Sequence, residues 1–241
     1  MSSYDILVDA YDELFPLNGA MVHFIEQQMG GRMGGIHLLD AGCGTGALAI
    51  ALARHNAGVK AFDLNALMVR KAEANRPQAL NLEFKTGSLS EIQQLYSGQL
   101  FDGILCVGNT LVHLPDRDAI LLFLDQTVQL LKPGGKLIVQ IVNYDNIMSH
   151  KPASLPLITT QNHTFRRLYE YTGAGHVRFV THLANNFNDG VVIQSTLLLL
   201  CERAFLEEEL KRRFQKVEFF GSFDALPWSI ETFHTIAVAQ K

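Results

Sequence analysis

The densest chemistry in this sequence lies in Asp40-Ala41-Gly42-Cys43-Gly44-Thr45-Gly46, where an acid closes an apolar run and three alternating glycines follow. Glycines permit positive φ or a close approach of backbone to a ligand, and a helix starting after Gly46 presents unpaired N–H groups in its first turn. A second acid, Asp63, closes the next apolar run, where a nucleotide-binding βαβ unit keeps the carboxylate that accepts from a ribose. Further on, Gly108-Asn109 and His113 follow the apolar run 101–106. Asn109 brings both an amide acceptor and a donor, and His113 an imidazole that can accept or donate near neutral pH.

The elements that must position these groups read as an alternating α/β chain. Residues 36–39 form an apolar run of buried-strand type, and Ala47-Leu48-Ala49-Ile50-Ala51-Leu52-Ala53 reads as the helix after it. Asn65 is placed to cap a helix through Ala74, and Asp116 or Asp118 to cap one over 119–131. Strands are expected at 80–84, 101–106 and 136–142, the last entered through Pro133-Gly134-Gly135. Catalytic groups in open α/β sheets lie at the carboxyl ends of strands, so the loop holding Asn109 and His113 is the expected floor of a site.

At the start of the chain, Ile6, Leu7, Ala10, Leu14 and Phe15 recur at helical spacing, and a second helix is expected over 19–29. Between Lys151 and Leu200 the rhythm changes to period two. Thr172-Gly173-Ala174-Gly175 and Asn188-Asp189-Gly190 are turn sequences joining three strands, which make an antiparallel insertion after the fifth strand. A helix over 202–214 and strands at 216–220 and 232–239 close the chain.

Leu39-Asp40-Ala41-Gly42-Cys43-Gly44-Thr45-Gly46 resembles the first motif of the class I S-adenosylmethionine-dependent methyltransferases of small-molecule type. The resemblance implies a Rossmann-like seven-stranded sheet with helices on both faces. It implies S-adenosyl-L-methionine as cofactor, with Asp40, Gly42, Cys43, Gly44 and Gly46 around its methionine part and Asp63 on the ribose. Leu64, Met68, Gly87, Ser88 and Leu89 would surround the adenine, with Ser88 standing where the family carries an acid, and Val107 is a further expected cofactor contact. Tyr11-Asp12, and by the same pattern Tyr4-Asp5, resemble the Tyr-Asp pair of a lid over cofactor and acceptor.

Asn109, His113, Tyr144 and Tyr11 are the expected catalytic residues, orienting the acceptor or its lone pair. Asn143-Tyr144-Asp145 is similar to a stretch of the glycine and sarcosine N-methyltransferases whose preceding arginine, which holds the substrate carboxylate, is Val142 here; Arg166 or Arg167 supplies a different anionic anchor only if the insertion folds back over the site. These likenesses imply methyl transfer to a small molecule, with nitrogen the expected nucleophile. Within one domain over 1–241, the expected parts are a helical lid (1–30), a cofactor core (36–142), an antiparallel substrate cover (150–200) and the end of the sheet (201–241). Because Ala47 can serve as the last small position of a dinucleotide fingerprint, an NAD or flavin oxidoreductase stands as a rival, as does a non-catalytic adenosylmethionine-binding protein.

The chain has 241 residues, 48% of them hydrophobic and 18% charged, which bounds it to one large ordered domain. A net charge of −4 with no long basic block argues against nucleic acid. Lys211-Arg212-Arg213 reads as a solvated helix face beside Glu207, Glu208 and Glu209. Cys43, Cys106 and Cys201 are too far apart to frame a disulfide or metal site, and no bound metal is expected. No apolar run reaches membrane-spanning length, and a cytoplasmic protein is expected. Oligomeric state is not legible.

Overall fold

The computed structural model describes residues 7–173, 175–187 and 190–241. Tyr4, Asp5, Ile6, Ala174, Asn188 and Asp189, invoked above, lie outside these residues. Eight helices, α1 (Tyr11–Leu14), α2 (Gly19–Gln28), α3 (Ala47–Arg54), α4 (Ala66–Asn75), α5 (Ile92–Leu95), α6 (Arg117–Leu130), α7 (Tyr144–His150) and α8 (Arg203–Lys211), occur among the described residues. They alternate with β1 (His37–Ala41), β2 (Gly58–Asp63), β3 (Leu82–Thr86), β4 (Phe101–Cys106) and β5 (Leu131–Val142), and later with β10 (Lys216–Phe220) and β11 (His234–Gln240).

These seven strands form one sheet in the order β3-β2-β1-β4-β5-β11-β10. The first five run parallel and β11 enters antiparallel between β5 and β10. This is the order of the class I methyltransferase sheet. Its central strands are buried on both faces, Leu38, Leu39, Ile104, Leu105 and Ile138 among them, as a sheet covered by helices on each side requires.

Capping residues set the helix starts. Asn65 Oδ1 accepts from the Leu67 N–H (2.8 Å), and Asp116, rather than Asp118, accepts from the Ala119 N–H (2.8 Å). The first helix is shorter than its apolar spacing implies, a single turn at α1 preceded by turns from Leu7.

Four further strands, β6 (Ile158–Thr159), β7 (His163–Tyr171), β8 (His176–Asn185) and β9 (Val191–Leu199), form an antiparallel sheet inserted after β5. Period-two patterning predicts three of them; β6 is too short to show it, and α7 is not apparent from the apolar pattern. Arg212 pairs with Glu208 on the exposed side of α8, as the solvated-face reading requires, whereas Arg213 pairs with the buried Glu209 and with Asp125 of α6, so that side of the run packs inward. Among the described residues no helix is long and apolar enough to cross a membrane.

Candidate functional site

The glycine turn between β1 and α3 is built by contact as much as by backbone freedom. Gly42 has φ +89°, and a Cβ there would sit 2.3 Å from Thr110 Cγ2; at Gly46 (φ +82°) it would meet Phe84 Cζ at 2.6 Å. Side chains are excluded at both places, and the turn stays close to the loop after β4. The Gly44 N–H donates to Asp63 Oδ2 (2.9 Å) while the Asn65 N–H donates to Oδ1 (2.8 Å), so two backbone donors aim the Asp63 carboxylate from the end of β2. Each oxygen keeps a further acceptor direction for a ligand.

A cavity of about 350 Å³ opens beside this turn. Gly42, Gly44, Asp63, Leu64, Met68, Gly87, Ser88, Leu89 and Tyr11 line it, as the sequence places them. Leu64 is 74% exposed, a large apolar side chain left bare over the opening. Ser88 caps the following turn, its hydroxyl accepting from the Ser90 N–H (3.3 Å).

Asp40, Cys43, Gly46 and Val107, also expected at the cofactor, fall outside the cavity lining. Asp40 and Val107 are buried, Cys43 is held by its N–H to the Phe62 carbonyl (3.0 Å), and Gly46 packs against Phe84. Phe62, Asn65, Thr110, Leu114 and Thr196 line the cavity without having been assigned to the site. The first four are neighbours of predicted positions; Thr196 arrives from the insertion, which local sequence cannot place.

Asp40 is 1% exposed and neither carboxylate oxygen has a hydrogen-bond donor among the described residues. Burial, reinforced by the charge of Asp63, pushes its carboxyl up to about 7. A cation nearby would relieve that cost. The glycine turn, the aimed Asp63 carboxylate, the bare Leu64 and this orphaned acid together fit a nucleoside that carries positive charge.

A second cavity of about 260 Å³ lies between the sheet's carboxyl edge and the insertion. Tyr11, Gly108, His113 and Thr196 line both cavities, so the two adjoin there. Burial raises the Tyr11 hydroxyl to about 12 and lowers the His113 imidazole to about 4, so both groups are neutral at pH 7.

Asn109 (φ +68°) lines the second cavity with an amide engaged on both sides. Its Oδ1 accepts from the Val142 N–H (2.9 Å) and its Nδ2 donates to the Tyr144 hydroxyl (3.2 Å). Tyr144 is fully buried and lines neither cavity, in contrast to the contact expected of it. It begins α7 directly after Asn143, whose Nδ2 is tied to the Ser229, Ile230 and Thr232 carbonyls. Asn109 and Tyr144 therefore hold the β4 and β5 ends together.

His234 starts β11, and its pairing with Val142 brings it to the wall of the second cavity. Gln140 Oε1 accepts from the Gly108 N–H (2.7 Å), which turns its Nε2 toward His234 Nδ1 (3.0 Å). An amide nitrogen only donates, so Nδ1 is unprotonated and Nε2 carries the hydrogen. Burial also lowers the His234 imidazole, in keeping with the neutral ring. Trp228, by contrast, packs its loop, its indole N–H donating to Thr235 Oγ1 (2.9 Å).

The α1 turn spans both cavities. Thr45 Oγ1 donates to Asp12 Oδ1, joining α1 to the glycine turn, and Asn75 Nδ2 donates to Asp12 Oδ2 (3.3 Å). On the other side Glu13 accepts from the Asn162 N–H and Nδ2 (both 3.0 Å) and pairs with His163 (3.1 Å) in the insertion. The Thr160 hydroxyl first, then Asn162 and His163, hold the Glu13 carboxyl down at about 2 by hydrogen bonding to it.

Residues 38–135 match the family described as "Methyltransferase domain". The chain is 33% identical over 128 residues to a ubiquinone biosynthesis O-methyltransferase of Coxiella burnetii (strain Dugway 5J108-111), covering 53% of this chain and 51% of the relative. The corresponding protein of Acinetobacter baylyi is 33% identical over 140 residues, 56% of each chain. The chain thus spans about half the length of these curated relatives.

Among solved structures, a S-adenosylmethionine-dependent methyltransferase from Clostridium acetobutylicum superposes with a TM-score of 0.81 at 17% identity, covering 99% of both chains. The CcbJ methyltransferase from Streptomyces caelestis gives 0.79 at 17% identity, over 96% of this chain and 94% of the other. The shared fold extends through the insertion, beyond the stretch matched by the family.

Proposed function

We propose that this chain is an S-adenosylmethionine-dependent methyltransferase acting on a small molecule, with cofactor in the first cavity and acceptor in the second. The observation that carries this reading is the junction of the two cavities at Tyr11, Gly108, His113 and Thr196. Asp63 holds the ribose, the Gly42–Gly46 turn faces the methionine part, and Leu64 and Met68 flank the base. Asp40, set back behind the turn, supplies negative charge without contact. The bound cofactor supplies an activated methyl group on a cationic sulfur.

What remains for the protein is alignment and exclusion of water, which can account for most of the acceleration of an in-line displacement. Tyr11 closes the junction from α1. Gly108 leaves the wall open there, held by Gln140, while Asn109 and Tyr144 fix its loop. His113 and His234 stay neutral and serve as hydrogen-bond partners rather than charges.

Nitrogen is the nucleophile this site favours. No Asp or Glu lines the second cavity, so an ammonium entering it loses water without gaining a counter-ion and sheds its proton, freeing the lone pair. A hydroxyl acceptor would need a base, and His113, lowered to about 4, is a poor one. Oxygen is the second reading, favoured by the curated relatives named as O-methyltransferases. Against it, one matched structure is named as a sugar N-methyltransferase. The likeness of 143–145 to glycine and sarcosine N-methyltransferases falls on residues with structural contacts, so glycine is not our choice of acceptor.

Incubation with S-adenosylmethionine and paired small amines and alcohols, followed by mass spectrometry, tests the reading. A gain of one methylene on amines is expected. Gain only on alcohols would reassign the nucleophile, and cofactor binding without transfer to any acceptor would favour a non-catalytic binding protein.

A further inference from the structure

In β7 the residues alternate between the second cavity and the outside. Phe165, Arg167 and Tyr169 line the cavity, whereas Arg166 is exposed on the other face. Arg167 pairs in register with Thr181 of β8, which pairs with Gln194 of β9, so these three cavity-lining residues form one row across the insertion. The Arg167 Nη2 donates to the Pro156 carbonyl (2.7 Å), which fixes the guanidinium. Its Nε is buried and has no hydrogen-bond acceptor among the described residues. A buried donor on a charged group is costly to leave unpaired. No carboxylate lines the cavity, and no ion pair to Arg167 occurs among the described residues. With His113 and His234 neutral, Arg167 is the cavity's fixed charge.

We infer that the acceptor carries an anionic oxygen group, carboxylate or phosphoryl, which Arg167 binds at the wall of the second cavity away from the methyl-transfer junction. The inference rests on the proposed methyltransferase reading, which makes Thr196 a marker of the reacting end. Thr196 lies two strands and one cavity-facing step from Arg167, roughly 12 Å between Cα atoms by strand spacing and rise. The nucleophile and the anion are therefore at opposite ends of one small molecule. Tyr169 and Phe179, in the row that ends at Thr196, lie between the two ends and favour a flat apolar body. A guanidinium pairs with either oxyanion through charge-assisted hydrogen bonds, and a neutral amide of the same shape forfeits them.

The test uses benzoate, phenylphosphonate and benzamide as probes, with binding measured by calorimetry on the full chain saturated with S-adenosylhomocysteine. At least one anion is expected to bind about tenfold tighter than benzamide; which one does so separates carboxylate from phosphoryl. Arg167→Gln should abolish the preference, Arg167→Lys should retain part of it, and Arg166→Gln should leave it intact. Binding of S-adenosylhomocysteine reports folding of each variant, and in the unaltered chain its absence would count against the methyltransferase reading separately. A cavity that takes benzamide as readily as both anions, or an Arg167→Gln protein that keeps the preference, overturns the inference.

Discussion

Two acids placed at successive strand ends have opposite circumstances. Asp63 receives two backbone N–H groups at 2.9 and 2.8 Å, whereas Asp40 receives none. On the proposed reading, replacing Asp63 with Ala removes charge-assisted hydrogen bonds of about 1.5–3 kcal/mol to the ribose, so cofactor affinity measured by calorimetry should fall roughly 10- to 100-fold. Asp40, on the proposed reading, acts through its charge. Its folded carboxyl is raised from 3.8 to about 7, so it favours the folded state below pH 4 and that contribution is lost as pH rises through 7. Melting of ligand-free Asp40→Asn should accordingly gain on the unaltered protein between pH 5 and pH 8, and a constant difference would refute the assignment. A cationic ligand favours the ionised acid, so its affinity should also rise over the same interval in the unaltered chain and flatten in Asp40→Asn.

At the scale of elements, α1 is a single turn with little of its own to stabilise it, since isolated helices this short are marginal in water. Its position comes from Asp12 on the glycine turn and Glu13 on the insertion. Glu13 is held down at about 2, so its anchoring is present above the ordinary carboxylate range and is lost only as pH falls through about 2. Hydrogen exchange over residues 7–15 should be slow at pH 5 and markedly faster in Glu13→Ala, with a severalfold rise in acceptor KM. Unchanged exchange would mean that apolar packing of Leu7, Ala10 and Leu14 against Phe165 and Leu183 holds the turn alone. The sequence marks Tyr11-Asp12 as a lid but not the part of Glu13, because its partners are some 150 positions away.

For the whole molecule, the seven-stranded sheet was legible because buried parallel strands leave continuous apolar runs and their turns carry Gly, Asn or Asp. The glycine turn and Asp63 were legible for the same reason: their chemistry is local. What was hidden depends on distant pairing. Arg167 and Arg166 are adjacent in sequence, and only the docking of the insertion decides which one lines the cavity. His234 enters the site because β11 inserts beside β5, and Tyr144 is withdrawn from it because α7 begins there. The most direct measurement is calorimetric titration of the unaltered chain and Asp63→Ala with S-adenosylmethionine and, separately, NAD. The account predicts one S-adenosylmethionine bound per chain, weakened in Asp63→Ala, and no uptake of NAD. Binding of NAD in place of S-adenosylmethionine would contradict it.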